Sequence, residues 1–219
     1  MAKVAIVIGA TGLVGKALVD QLVDAQHIEK IITITRRESV HKSNKVINKV
    51  VNFEHLSEFS HIFNADYFFS CLGTTLKQAG TVTAQRKVDL QYQFDAAQLA
   101  ANNGCSHYFL VSSSGANEKS NSAYLQMKGE LERKIKLLPF KSINIFQPSL
   151  LLGDREDFRL AEKIGSWLMP AFCIIPGLKR FRPITGKQVA EKMVLASKDN
   201  TKPLETFRLD EIFIKPKIG

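Results

Sequence analysis

The alternation of apolar and polar positions divides this chain into short β-branched runs separated by helix-period stretches. Residues 3–8 read KVAIVI, a buried strand. A helix follows over about 13–25, with Leu18, Leu22 and Ala25 at helical spacing. Further strands are predicted at 30–35, about 48–52, 66–72, 107–112 and 142–147. A loop over 76–82 contains Gly80. One long helix is expected over about 83–102, its face marked by Val88, Phe94, Ala97 and Ala101 and its end by Gly104. Another helix runs from about Ser122 to Leu138, before Pro139. After residue 147 the pattern predicts a charged helix, a Pro-rich loop, a helix over 186–198 and a closing strand over 206–214. Strand and helix in turn predict an α/β fold, a doubly wound parallel sheet with helices on both faces.

At 219 residues the chain is expected to form a single domain over 1–219. Residues 1–147 would carry the sheet, and 148–219 a small C-terminal covering region over the strand ends, where ligands sit in such sheets. Apolar content of 45% and charged content of 23% are ordinary for a globular protein. The net charge of +9 favours anionic partners such as phosphorylated cofactors. No long block of like charge suggests a nucleic-acid arm, so no nucleic-acid partner is expected. Cys71, Cys105 and Cys173 are odd in number and widely spaced, so neither a disulfide framework nor a metal site is expected. A reducing, cytoplasmic setting is expected. The opening residues do not read as a signal peptide. The apolar stretch 167–178 is cut by Pro170, Pro176 and Gly177 and is too short to cross a bilayer, so no membrane attachment is expected.

Strand 3–8 breaks directly into Gly9-Ala10-Thr11-Gly12-Leu13-Val14-Gly15 and then into a helix. Glycines allow a tight turn and close approach. The helix start offers unpaired N–H donors and a partial positive charge to a phosphate. Strand, glycine turn and helix in that order point to a bound dinucleotide. The end of the second strand then selects among cofactors. NAD sites place an Asp or Glu there for the ribose 2′-hydroxyl; this chain has Arg36-Arg37 instead. Guanidinium groups pair with a 2′-phosphate, so NADP(H) is expected, held by Arg36 or Arg37. Leu72-Gly73-Thr74 follows the fourth strand, where glycine lets backbone pass close to a ribose and pyrophosphate. Phe53-Glu54 lies where an adenine edge would be met.

Tyr124 and Lys128 are four residues apart on one helix face, and Ser112, Ser113 and Ser114 end the preceding strand. An ammonium beside a phenol stabilises the phenolate. Tyr, Lys and Ser together suit proton transfer at a carbonyl or alcohol oxygen while hydride passes to or from a nicotinamide. Any of the three serines could supply the hydroxyl.

Gly9 to Gly15, Arg36-Arg37, Cys71-Leu72-Gly73-Thr74-Thr75, Val88-Asp89, Ser112-Ser113 and Tyr124-Leu125-Gln126-Met127-Lys128-Gly129-Glu130 resemble the atypical short-chain dehydrogenase/reductases. Within them the chain is similar to the Tat-interactive-protein oxidoreductase group, over residues 4 to about 190. That resemblance implies a Rossmann fold, NADPH binding and a tyrosine proton donor and acceptor. It makes Gly9 to Val14 the pyrophosphate loop, Arg36 the 2′-phosphate contact, and Leu72 and Gly73 lining of the cofactor. Tyr124 becomes the acid/base, Lys128 its partner and a ligand of the nicotinamide ribose, Ser113 the best-matching serine, and Leu151 a contact on the nicotinamide side. Gln147-Pro148 departs from the Arg-Pro frequent in relatives. The expected function is an NADPH-dependent oxidoreductase acting on a small carbonyl or alcohol substrate. The alternatives are an NADPH-binding regulatory or redox-sensing protein with a protein partner, and, third, an epimerase or dehydratase. A monomer or homodimer is expected.

Overall fold

The computed structural model describes residues 3–152, 179–199 and 201–214. The charged helix, the Pro-rich loop and Cys173 lie outside the described residues. Seven strands form one sheet: β1 (Lys3–Ile8), β2 (Ile28–Thr35), β3 (Val46–Val50), β4 (Tyr67–Ser70), β5 (His107–Val111), β6 (Ser142–Gln147) and β9 (Leu204–Arg208). Their order across the sheet is β3-β2-β1-β4-β5-β6-β9, and each neighbouring pair is parallel. The order reverses between β1 and β4, which opens a crevice at their carboxyl ends. Two short strands, β7 (Leu151–Leu152) and β8 (Ile184–Thr185), pair separately. This is the Rossmann arrangement.

Strand periodicity divides the core in two. Ile6 and Ile8 point to one face of β1, and Ala5 and Val7 to the other. The first face is covered by α4 (Tyr92–Asn102), α5 (Ala123–Ile135) and a 3₁₀ segment, Phe53–Phe63. The second is covered by α1 (Leu13–Asp24) and α6 (Gly186–Lys198), through Leu18 and Leu22 on one helix and Val189 and Met193 on the other. Continuously apolar strands are what burial on both faces requires. The described part of 148–219 therefore joins the same layers: α6 covers a face and β9 extends the sheet.

Several elements differ from expectation. The long helix over 83–102 is broken into α3 (Val82–Arg86), a π-helical turn (Lys87–Gln91) and α4. The loop over 76–82 contains α2 (Leu76–Ala79), whose Thr75 and Gln78 form a capping box. The helix drawn to Leu138 ends at Ile135. The closing strand is shifted to Leu204–Arg208 and stops where Leu209 takes φ 49, a conformation no regular strand continues through.

Asp66 fastens the start of the sheet. It accepts bonds from Lys3 Nζ and the Val4 amide, both at 2.9 Å. Burial opposes its ionisation, but the bonds from Lys3 and Val4 prevail and hold its carboxyl below the usual range. Lys3 is raised, chiefly by its bond to Asp66. A depressed carboxyl stabilises the fold above its unfolded value of about 4 and ceases to as pH falls through the folded value. The raised lysine contributes below its ordinary value of 10.5 and its contribution is lost at more alkaline pH. Asp66→Asn should therefore flatten the acid limb of Tm against pH between about 5 and 2. An unchanged acid limb would remove Asp66 from that role.

Candidate active site

The turn after β1 is shaped by what its glycines lack. Gly9 sits at φ 75, and a Cβ there would run into the backbone of Cys71 and Leu72. A Cβ on Gly15 would strike the Gly9 carbonyl. These two glycines let the turn press against the end of β4 and let α1 start directly behind it. Thr11, Gly12 and Leu13 face outward, whereas Ala10, Val14 and Gly15 pack inward. The Gly12 amide is used by Gly9 (3.0 Å), and the first bond of α1 runs from Lys16 N to Gly12 O at 2.9 Å. The amides of Leu13, Val14 and Gly15 precede that bond, and Gly12 caps the helix with no side chain. A cradle this narrow, rimmed by donors, fits a pyrophosphate.

At the end of β2, Arg36 and Arg37 are both exposed, and Thr35 Oγ1 donates to the Arg37 carbonyl at 2.7 Å. Arg36 lies close enough to Tyr92 to act on its charge. Tyr92 donates to Glu54 Oε1 at 2.5 Å, and Lys87 Nζ pairs with Glu54 at 2.9 Å. Burial and the Glu54 carboxylate push the Tyr92 phenol up to about 12. Glu54 is thus already held by two donors beside the arginines.

The structure brings the β4 loop, Tyr124 and Lys128 together through a residue with no role assigned from sequence. Lys128 is 2% exposed and pairs with Asp89, which is 0% exposed, at 3.0 Å. Asp89 Oδ2 accepts from the Thr74 amide at 3.1 Å. Its Oδ1 takes no aligned hydrogen bond among the described residues and rests on the charge of Lys128. Tyr124 is half-buried in the first turn of α5, with Lys128 Nζ 5.9 Å from its ring centre. Gly129 brings that helix in: a Cβ there would collide with the backbone of Asn117 and Glu118. Both signals are readable in hindsight. An acid between Val88 and Leu90 on an apolar helix face needs a partner, and a glycine inside a helix costs about 1 kcal/mol unless closeness requires it.

The three serines separate. Ser112 is buried and donates to Glu132 Oε1 at 2.5 Å, and Gln147 Nε2 donates to the same oxygen at 2.8 Å. A neutral amide stands where an arginine would put a charge. Ser112 is therefore committed to holding β5 and β6 against α5. Ser113 and Ser114 are half-buried, and among the described residues the Ser113 hydroxyl reaches only the Ser114 carbonyl at 3.4 Å. Leu151 in β7 is half-buried and packs against the core on the α1 side.

Burial pushes the Cys71 thiol up to about 12, against a small pull from Lys128, although Cys71 as a residue is partly exposed. Cys105, buried, is likewise pushed up to about 12. Both thiols should react with iodoacetamide at pH 8 at least about 100-fold more slowly than free cysteine. Labelling at the free rate, read peptide by peptide, would contradict that. Among the described residues no cluster of His, Cys, Asp or Glu could hold a metal, and no helix is long and apolar enough to cross a membrane.

Comparison with known proteins agrees with this fold. The rat (Rattus norvegicus) Protein HTATIP2 is 38% identical over 174 residues, covering 78% of this chain and 70% of its own. The Candida glabrata protein FMP52, mitochondrial, is 38% identical over 157 residues, covering 71% and 66%. Other fungal relatives are likewise named mitochondrial. The cytoplasmic setting expected from the cysteines is corrected by those names: unpaired thiols mark a compartment that does not oxidise them and cannot tell one such compartment from another. Among solved structures, MoeE5 in complex with UDP-glucuronic acid and NAD superposes with a TM-score of 0.71 at 14% identity, covering 94% of this chain and 75% of that one, a likeness of fold. Residues 5–142 match the profile of the NAD dependent epimerase/dehydratase family. With its glycine cradle at the switch point of a Rossmann sheet, the chain belongs to that family, within its atypical short-chain dehydrogenase/reductase branch.

Proposed function

We propose that the protein is an NADPH-dependent oxidoreductase acting on a small carbonyl or alcohol. The observation that carries this reading is a buried lysine, Lys128, fixed one helical turn from Tyr124 beside the loop that faces the glycine cradle. Gly9, Ala10, Thr11, Gly12, Leu13, Val14 and Gly15 would hold the pyrophosphate, Arg36 and Arg37 the 2′-phosphate, and Leu72, Gly73 and Thr74 the adjoining ribose. The nicotinamide, when bound, supplies or accepts the hydride. Tyr124 gives a proton to the substrate oxygen or takes one from it. Lys128 keeps a positive charge beside that phenol and binds the nicotinamide ribose, with Leu151 on the nicotinamide side. Ser113, whose hydroxyl is not committed as that of Ser112 is, orients the substrate oxygen. A redox-sensing reading gains no support from Cys71 or Cys105, whose thiols are held in their unreactive form.

The cofactor is tested by calorimetric titration with NADPH and NADH. NADPH should bind about 10- to 100-fold more tightly, the worth of charge-assisted bonds to one phosphate. Arg36→Ala with Arg37→Ala should erase that preference and leave NADH unaffected. Equal affinities in the wild type would overturn the assignment of NADP.

A further inference from the structure

We propose that Asp89 is a positioning residue that joins Lys128 and the loop after β4 into one cofactor-gripping unit. The proposal rests on the NADPH reading above and adds a residue and a coupling to it. One carboxylate touches both parts: Oδ1 pairs with Lys128 Nζ at 3.0 Å, and Oδ2 accepts from the Thr74 amide at 3.1 Å. Neither charge can fall back on water, at 0% and 2% exposure. An uncompensated charge at that depth is strongly unfavourable, so moving either partner moves the other.

The backbone around Asp89 is built for this placement. Asp89 sits in the π-helical turn between α3 and α4, and such wide turns reset which residues face inward. The turn is held from below. Gln93 Nε2 donates to the Asp89 carbonyl at 3.0 Å, and Gln93 Oε1 accepts from Ser70 Oγ at 2.8 Å. Ser70 is the last residue of β4. On the other side Gln85 Nε2 donates to the Thr74 carbonyl at 3.2 Å. A continuous set of bonds therefore runs from the end of β4 through the π turn and Asp89 to Lys128 on α5. The loop and the lysine, contributed by different elements, share one acceptor.

The test is a double-mutant cycle on the full chain: wild type, Asp89→Asn, Lys128→Met and the double variant, each titrated with NADPH by calorimetry and melted without it. If the unit acts through Asp89, each single change weakens NADPH at least about tenfold. The double is then no more than about threefold weaker than the poorer single, because the second change removes nothing further. The melting temperature of the double should exceed that of Asp89→Asn, since the stranded lysine charge is gone. Asp89→Asn binding within threefold of wild type, or losses that multiply, would overturn the proposal. Should Asp89→Asn not fold, Asp89→Glu carries the test. It keeps the charge but displaces Lys128; titrated well below its own melting temperature, with a circular dichroism spectrum matching wild type, it should weaken NADPH at least about fivefold, and unchanged affinity overturns the proposal. A wild type that does not bind NADPH fails the functional reading itself. A wild type that binds with multiplying losses fails only the role of Asp89.

Discussion

Tyr124→Phe is expected to lower the kcat of NADPH-driven carbonyl reduction by about 100- to 10,000-fold, the usual worth of a positioned proton donor. Phenanthrenequinone serves as the carbonyl probe, followed by loss of NADPH absorbance. The Kd for NADPH should stay within about twofold, because the role proposed for the hydroxyl is at the substrate oxygen and not at the cofactor. Tyr124 is half-buried, and the described residues give its hydroxyl no hydrogen bond, so the change leaves no orphaned partner in the protein. Ser113→Ala should lose activity by a smaller factor, and Ser112→Ala should act through stability, since its hydroxyl serves Glu132. Full turnover by Tyr124→Phe would remove the tyrosine from catalysis, and loss of NADPH binding would make its role structural.

Gly9→Ala is expected to cost about 3 kcal/mol or more and to abolish NADPH binding. Two effects combine. A side chain at φ 75 costs about 1–2 kcal/mol, and the added carbon meets the backbone of Cys71 and Leu72, which cannot rotate away as a side chain could. In a domain of this size that should lower Tm by about 6–12 °C. Gly80→Ala is the control. Gly80 has φ 80 but nothing within 4 Å of an added Cβ, so it should show the conformational cost alone and keep NADPH binding. The difference between the two measures the close approach of the glycine turn to β4. Equal losses would mean that the approach is worth nothing.

Much of this was legible in the sequence where the physics is local. Residues 3–8 could only be a buried strand, and the glycines that follow had to make a turn whatever lay around them. The Tyr124–Lys128 pairing follows from helix geometry. Asp89 was legible as a residue and not as a partner, because its meaning comes from Lys128, on a helix separated from it by β5. The π turn was invisible for the same reason: 83–102 has an unbroken helical period, and the widening answers to tertiary contacts of Asp89 and Gln93. Ser112 and Ser113 are identical in sequence terms. Only Glu132 and Gln147, brought in by α5 and β6, tell them apart. The end of the β9 strand is not legible in the sequence, because Leu209 adopts a backbone conformation its side chain does not advertise.

The cradle is made of two pieces, residues 9–15 and the backbone at 71 and 72, which meet only after β4 has docked beside β1. During synthesis the first piece emerges with the whole of β2 and β3 still to follow. A nascent chain therefore carries the glycine motif long before it has anything to close it. A ligand held between the two pieces binds the completed sheet alone, so its stabilisation falls on the barrier to unfolding and lends nothing to the early steps of folding. For such a protein, cofactor supply would set how long the molecule lasts rather than how quickly it forms.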